Sequence, residues 1–199
     1  MVKQSKNQHR QVLKSYFFYS LIFLIYLIPI TIVFRRGFDD ILELFRRLAG
    51  LTGLSSLFIA ILLSLLIRQS RQIFGVSYLK IHHLFSITGL ILISLHPIIM
   101  AIDFGTTGLF IPDFSSWNAF LTNAGRPALY LIYIATAAAL LRKNIRKYWK
   151  YLHTLLYLAF IFGAIHGILL GSDTGNIYLY ILLIAMIITV IVAFFYKRY

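Results

Sequence analysis

The chain has 199 residues, 60% of them hydrophobic and 13% charged, and carries a formal charge of +13 from 19 Lys and Arg against 6 Asp and Glu. Its mean hydropathy of +0.83 lies far above that of a soluble globular domain. The basic residues sit in short clusters between long apolar runs, which points to a membrane protein and away from nucleic acid. The absence of Cys removes disulfides, zinc–thiolate sites, iron–sulfur clusters and thiol chemistry. Any reaction falls to His, to the few carboxylates or to a bound cofactor.

Six apolar runs are long enough, or nearly so, to cross a bilayer, which takes about 20 residues at about 1.5 Å rise. They are expected at 15–34, 48–67, 81–102, 127–141, 151–171 and 177–196. The fold class is therefore all-α: a six-helix transmembrane domain, 15–199, behind a basic tail, 1–14. The first run is uncharged and ends in Ile-Val-Phe-Arg-Arg without small residues for a signal peptidase, so it reads as an anchor. The fourth run is short and relies on Asn118 to Arg126, or on snorkelling Arg142 and Lys143, to reach both surfaces.

Lys and Arg accumulate on the cytoplasmic side of short loops. With the N-terminus inside, fourteen basic residues from Lys3 to Arg198 fall on the inner face; Arg35, Arg36, Arg46, Arg47, Arg126 and all six acids fall outside. Both termini are expected in the cytoplasm, and the protein in the plasma or inner membrane. The longest loop, 103–126, lies outside, where its Gly, Pro and Asp content predicts turns and a cap over the outer end of the bundle.

Ionisable groups within spans are costly and read as functional by default. Five of the six His lie there: His82, His83 and His96 in the third span, His153 and His166 in the fifth, with His9 in the tail. His82 and His96 are 14 residues apart, which is about 21 Å along a helix and about 40° short of four turns. His153 and His166 are 13 apart, about 19.5 Å, and miss a common azimuth by about 140°. The fifth span is therefore expected to be bent, locally unwound, or fitted with different rotamers.

Spans three and five run parallel, so His82 pairs in depth with His153 near the inner end, and His96 with His166 near the outer end. Two His from facing helices at each of two depths is an arrangement that clamps two haems within a four-helix core. Gly89, Gly163 and Gly167 either let a flat macrocycle approach the backbone or mark ordinary helix packing. Pro97 loosens the helix after His96 or simply kinks it. A single zinc or copper ion cannot take ligands about 20 Å apart. A proton relay or ion transporter would be expected to use intramembrane Asp or Glu, which the spans lack.

From Gln72 to Tyr196 the chain resembles the ferric reductase-like transmembrane domain, the haem-b core of ferric reductases and NADPH oxidases. The likeness rests on His82-His83-Leu-Phe-Ser86, His96 fourteen residues after His82, and Trp149-Lys-Tyr-Leu-His153 followed by Tyr157 and His166. The family has a basic residue after its first His, which favours His82 as ligand with His83 as the alternative. Gly125-Arg126-Pro127, the short fourth span and the basic loop before Trp149 also look like the haem-binding membrane subunit of the periplasmic methionine sulfoxide reductase system. That subunit commonly carries Arg where His82 stands.

The resemblance implies two haems b, one on His82 and His153 and one on His96 and His166, passing electrons across the membrane to an extracytoplasmic acceptor or reductase subunit. The chain stops at Tyr199 without the flavin and nicotinamide domains of long ferric reductases. An oxidoreductase component of this kind is expected to draw electrons from a separate cytoplasmic flavoprotein reductase or from quinol. The basic loop Arg142 to Lys150 is a candidate docking face or an orientation signal against lipid headgroups. Arg126 is a candidate partner for an outer propionate, and Tyr148 and Trp149 fit an interfacial aromatic belt. The rival class is a non-redox transporter or scaffold in which His residues only bridge helices.

Overall fold

The computed structural model describes residues 2–67 and 69–198, with side chains for 11–67 and 69–196. Lys3, Lys6, His9, Arg10, Arg68, Lys197 and Arg198, most of them part of the charge count above, lie outside the described side chains. The described residues are helical with turns and no strand. The helices are α1 (Val2–Arg36), α2 (Ile41–Leu65), α3 (Ser70–Phe74), α4 (Tyr78–Phe104), α5 (Trp117–Thr122), α6 (Gly125–Leu140), α7 (Trp149–His153), α8 (Leu155–Leu170) and α9 (Ile177–Arg198), with 3-10 turns at Gly108–Phe110 and Ser172–Gly175.

Among the described residues, five stretches are long and apolar enough to cross a membrane: Gln11–Arg36, Ile41–Leu65, Tyr78–Phe104, Trp149–Leu170 and Ile177–Tyr196. Gly125–Leu140 is apolar but has 16 residues, about 24 Å of helix. Large apolar side chains stay exposed along these helices, among them Phe23, Leu84, Leu140 and Val192. Such a surface suits lipid, since helices satisfy their own backbone polar groups and need no water.

The core lies around α2, whose Leu54, Phe58, Ile59 and Leu63 pack with Ala159, Phe160 and Ala164 of α8 and Leu179, Leu183 and Met186 of α9. Small side chains let α4 lie close against α2. A Cβ added to Gly89 would stand 2.8 Å from Leu57, and one added to Gly53 would stand 3.0 Å from Ile93. Gly89 is thus a packing glycine of the α2/α4 contact. The second close pair is α6 with α8, and the two pairs face each other across the bundle.

Two helices begin earlier than the apolar runs predict. α1 extends back to Val2, through the stretch expected as a tail. α2 starts at Ile41, seven residues before position 48, because Asp40 and Glu43 form a capping box. Glu43 N–H donates to Asp40 Oδ1 and Asp39 N–H donates to Glu43 Oε2, both at 2.8 Å. Arg46 and Arg47 consequently sit inside the helix rather than in a loop.

The long loop after α4 carries Gly105 in the left-handed region at φ +61° and folds back over one end of the bundle. The end of its 3-10 turn is held to α6 by Arg126 Nη1, which donates to Ile111 O at 2.8 Å, and by Tyr130 Oη, which donates to Phe110 O at 2.9 Å. Phe120 stacks on Phe114 and Trp117 and meets Phe162 of α8 edge-on.

Candidate functional site

His82, His96, His153 and His166 share one local arrangement. The Nδ1–H of His82 donates to Ala60 O at 3.1 Å and that of His96 to Arg46 O at 2.9 Å, both on α2. The Nδ1–H of His153 donates to Ala135 O on α6 at 3.2 Å, and that of His166 to Thr122 O at the end of α5 at 2.8 Å. A carbonyl only accepts, so each bond requires the proton on Nδ1. In a neutral imidazole the lone pair then lies on Nε2, the tautomer a metal ligand needs.

The register is as regular as the chemistry. Ala60 and Arg46 are 14 residues apart, matching His82 and His96, and the order is antiparallel. Ala135 and Thr122 are 13 apart, matching His153 and His166, again antiparallel. The 14-residue pair spans two uninterrupted helices. The 13-residue pair spans two interrupted ones, broken at Asn123–Ala124 between α5 and α6 and at Thr154 between α7 and α8.

At Thr154 the chain winds more tightly. Thr154 N–H is shared between Lys150 O and Tyr151 O, and Tyr157 N–H donates to Thr154 O three residues back. A 3-10 residue advances about 120° instead of about 100°, so each overwound residue recovers about 20° of the azimuth that thirteen α-helical steps lack. The fifth helical segment is overwound here, where bending or unwinding was among the expectations.

His96 and His166 line one cavity of about 410 Å³ between the two helix pairs, within the usual range of about 300–1,000 Å³ for cofactor sites. Its walls are largely apolar: Leu54, Leu57, Ile93 and Met100 on one side, Ala128, Ile132, Ala159 and Phe160 on the other, with Leu109 and Phe110 of the loop above. Gly163 and Gly167 also line it, and a Cβ added there would find its nearest neighbours at 3.6 and 3.9 Å. A side chain at either would make ordinary van der Waals contact, unlike at Gly89.

His82 sits elsewhere on α4, its ring stacked on Tyr78 at 5.2 Å, with Ser86 Oγ 3.4 Å from Nε2. His153 lies beside Trp149 with ring centroids 6.2 Å apart. His83, adjacent to His82, is exposed.

Polar residues ring the loop end of the cavity. Arg46 pairs with Asp103 at 3.4 Å and lies over the Phe104 ring at 5.0 Å. Arg47 is buried and donates to both carboxylate oxygens of Asp173, to Glu43 Oε1 and to the carbonyls of Val33 and Gly37. It thereby joins α1, α2 and the turn before α9. The Asp40-Ile-Leu-Glu43 spacing was the signal for this early helix start; the long-range partner Asp173 left none in the sequence. Gly50 and Gly125, against the rings of His96 and His166, also escaped the reading of the spans.

The outer donor set, His96 and His166 with Nε2 free of the proton on the wall of one largely apolar cavity, fits porphyrin iron, which needs no third protein ligand. Among the described residues no group of three or more His, Asp or Glu gathers around one point. Comparison with family models, curated proteins and solved structures finds no match to the chain.

Proposed function

We propose that the chain is a haem-carrying electron-transfer subunit of the membrane, similar to the ferric reductase-like transmembrane domain. His82 and His153 would hold an inner haem b, and His96 and His166 an outer one. The observation that carries the reading is the common anchoring of the four imidazoles, each by Nδ1–H to a backbone carbonyl of the neighbouring helix at matched spacing. Helix-bridging His in a transporter or scaffold need no common tautomer and no depth-matched pairs, whereas axial ligands of two haems need both.

In this reading α6 serves as a fourth, short span among six, both termini face the cytoplasm, and the membrane is the plasma or inner membrane. When bound, bis-imidazole haem supplies a one-electron carrier. The chain fixes the imidazole planes through backbone acceptors, excludes water from the slot with Leu54, Ile132 and Phe160, and closes one end with the loop pinned by Arg126 and Tyr130. Arg46 and Arg126, on the cavity wall, are the cations for carboxylates of a bound macrocycle.

Electrons would be supplied at the inner face by a separate flavoprotein reductase or by quinol, and be delivered to an acceptor outside. Arg142, Lys143, Arg146, Lys147 and Lys150 are exposed together between α6 and α8, as a docking face for an acidic donor requires. A periplasmic reductase subunit, as in the methionine sulfoxide reductase system, is favoured among acceptors by exposed Ile111, Phe114 and Trp117 on the closing loop.

The test is optical. Purified protein is expected to show a Soret band and sharp reduced bands of low-spin haem b, with about two haems per chain. Replacing His96 or His166 should remove one haem, and replacing His82 or His153 the other. A preparation that stays colourless after haem supplementation overturns the reading in favour of the transporter or scaffold.

A further inference from the structure

Resting on that reading, we propose that Gly50 and Gly125 are positioning residues for the outer ligands: their missing side chains set where the His96 and His166 rings stand. A Cβ on Gly50 would lie 2.9 Å from His96 Nδ1 and 3.2 Å from Cε1. Nδ1 already meets Arg46 O at 2.9 Å, so a methyl group here pushes the ring off its acceptor. A Cβ on Gly125 would lie 2.7 Å from His166 Cδ2 and 3.0 Å from Nε2, crowding the nitrogen that carries the lone pair.

The same device occurs on two unrelated helices. Gly50 follows its carbonyl acceptor, Arg46, by four residues, and Gly125 follows Thr122 by three. The equivalent positions beyond Ala60 and Ala135 are Ser64 and Ala138, so the inner imidazoles are seated without it. The other glycines of the bundle behave differently: Gly53 and Gly89 abut aliphatic side chains, and a Cβ on Gly163 or Gly167 would make only ordinary van der Waals contact with Leu54 or Leu183. Donation from Nδ1–H makes an imidazole a stronger ligand and favours oxidised iron. Weakening that bond at His96 therefore raises the outer reduction potential, while crowding His166 Nε2 weakens or abolishes its ligation.

The experiment uses the full haem-loaded chain, with electron paramagnetic resonance of the oxidised protein and a redox titration; a His96→Gly variant identifies the outer signal. Gly50→Ala is expected to shift the outer potential upward and change the outer g-values while leaving the inner signal as in wild type. Gly125→Ala is expected to lose or alter the outer signal alone. Wild-type outer g-values and potential in both variants overturn the proposal and leave the haem reading standing. Wild-type protein that takes up no haem overturns both. If Gly50→Ala fails to assemble, the double variant with His96→Gly removes the clashing ring: recovery of the inner signal supports the proposal, and continued failure overturns it.

Discussion

Arg47 and Asp173, 126 residues apart in the chain, form a buried two-pronged ion pair at the rim of the cavity. Removing one partner of such a pair leaves a charge in a low-dielectric site and typically costs roughly 3–5 kcal/mol. Asp173→Ala is expected to lower thermal stability in detergent by a corresponding amount. The Arg47→Met/Asp173→Leu double variant should recover part of it, because the fully buried charges are gone and Glu43, partly exposed, keeps its bond from Asp39 N–H. Equal stability of Asp173→Ala and wild type would show that Glu43 and the carbonyls of Val33 and Gly37 suffice for Arg47.

Neighbouring His82 and His83 separate cleanly by substitution. His82 is anchored to Ala60 O, whereas His83 is exposed. His83→Ala should keep two haems per chain by pyridine haemochrome assay and His82→Ala should keep one. The reverse pattern would make His83 the ligand.

The overwound turn at Thr154 recovers part of the azimuth that a 13-residue spacing lacks, so its length should be critical. Inserting one Ala between Thr154 and Leu155 rotates His153 relative to His166 by about 100° and takes its Nδ1 away from Ala135 O. The inner haem signal should be lost while the outer one remains. Retention of both would mean that the α7 segment re-registers freely.

The closing loop hangs on few bonds, one of them from Tyr130 Oη to Phe110 O. Tyr130→Phe removes a hydrogen bond worth about 1 kcal/mol. Amide exchange at 108–111 should accelerate by roughly fivefold, with exchange in α2 unchanged. No change in the loop would place its closure on Arg126 and the Phe120 cluster instead.

The apolar helices, the closing loop and the 14- and 13-residue His spacings that the helix registers repeat were legible in the sequence because each rests on local pattern: apolar length, turn composition, spacing along one chain. What escaped depends on neighbours distant in sequence. Arg47 reads as an outside charge until Asp173 is placed beside it. Gly125 reads only as part of the Gly-Arg-Pro stretch ahead of the fourth span until the His166 ring is laid on it. Gly89 had two readings open, and only the side chain of Leu57 chooses packing. The Asp40–Glu43 box was a local signal overlooked because the hydrophobic run starts later than the helix.

All four imidazole anchors are main-chain oxygens, at positions 46, 60, 122 and 135. Every amino acid carries that atom, so exchanging the side chain there leaves the acceptor in place. Point variants there test the ion pair of Arg46 or the tight packing of Ala60 and Ala135 rather than the acceptor, while a one-residue deletion in α2 would misalign two rings at once. The alignment of the ligands is stored in the course of the backbone, where insertions and deletions reach it directly and substitutions reach it only where a new side chain meets a ring, as at Gly50 and Gly125.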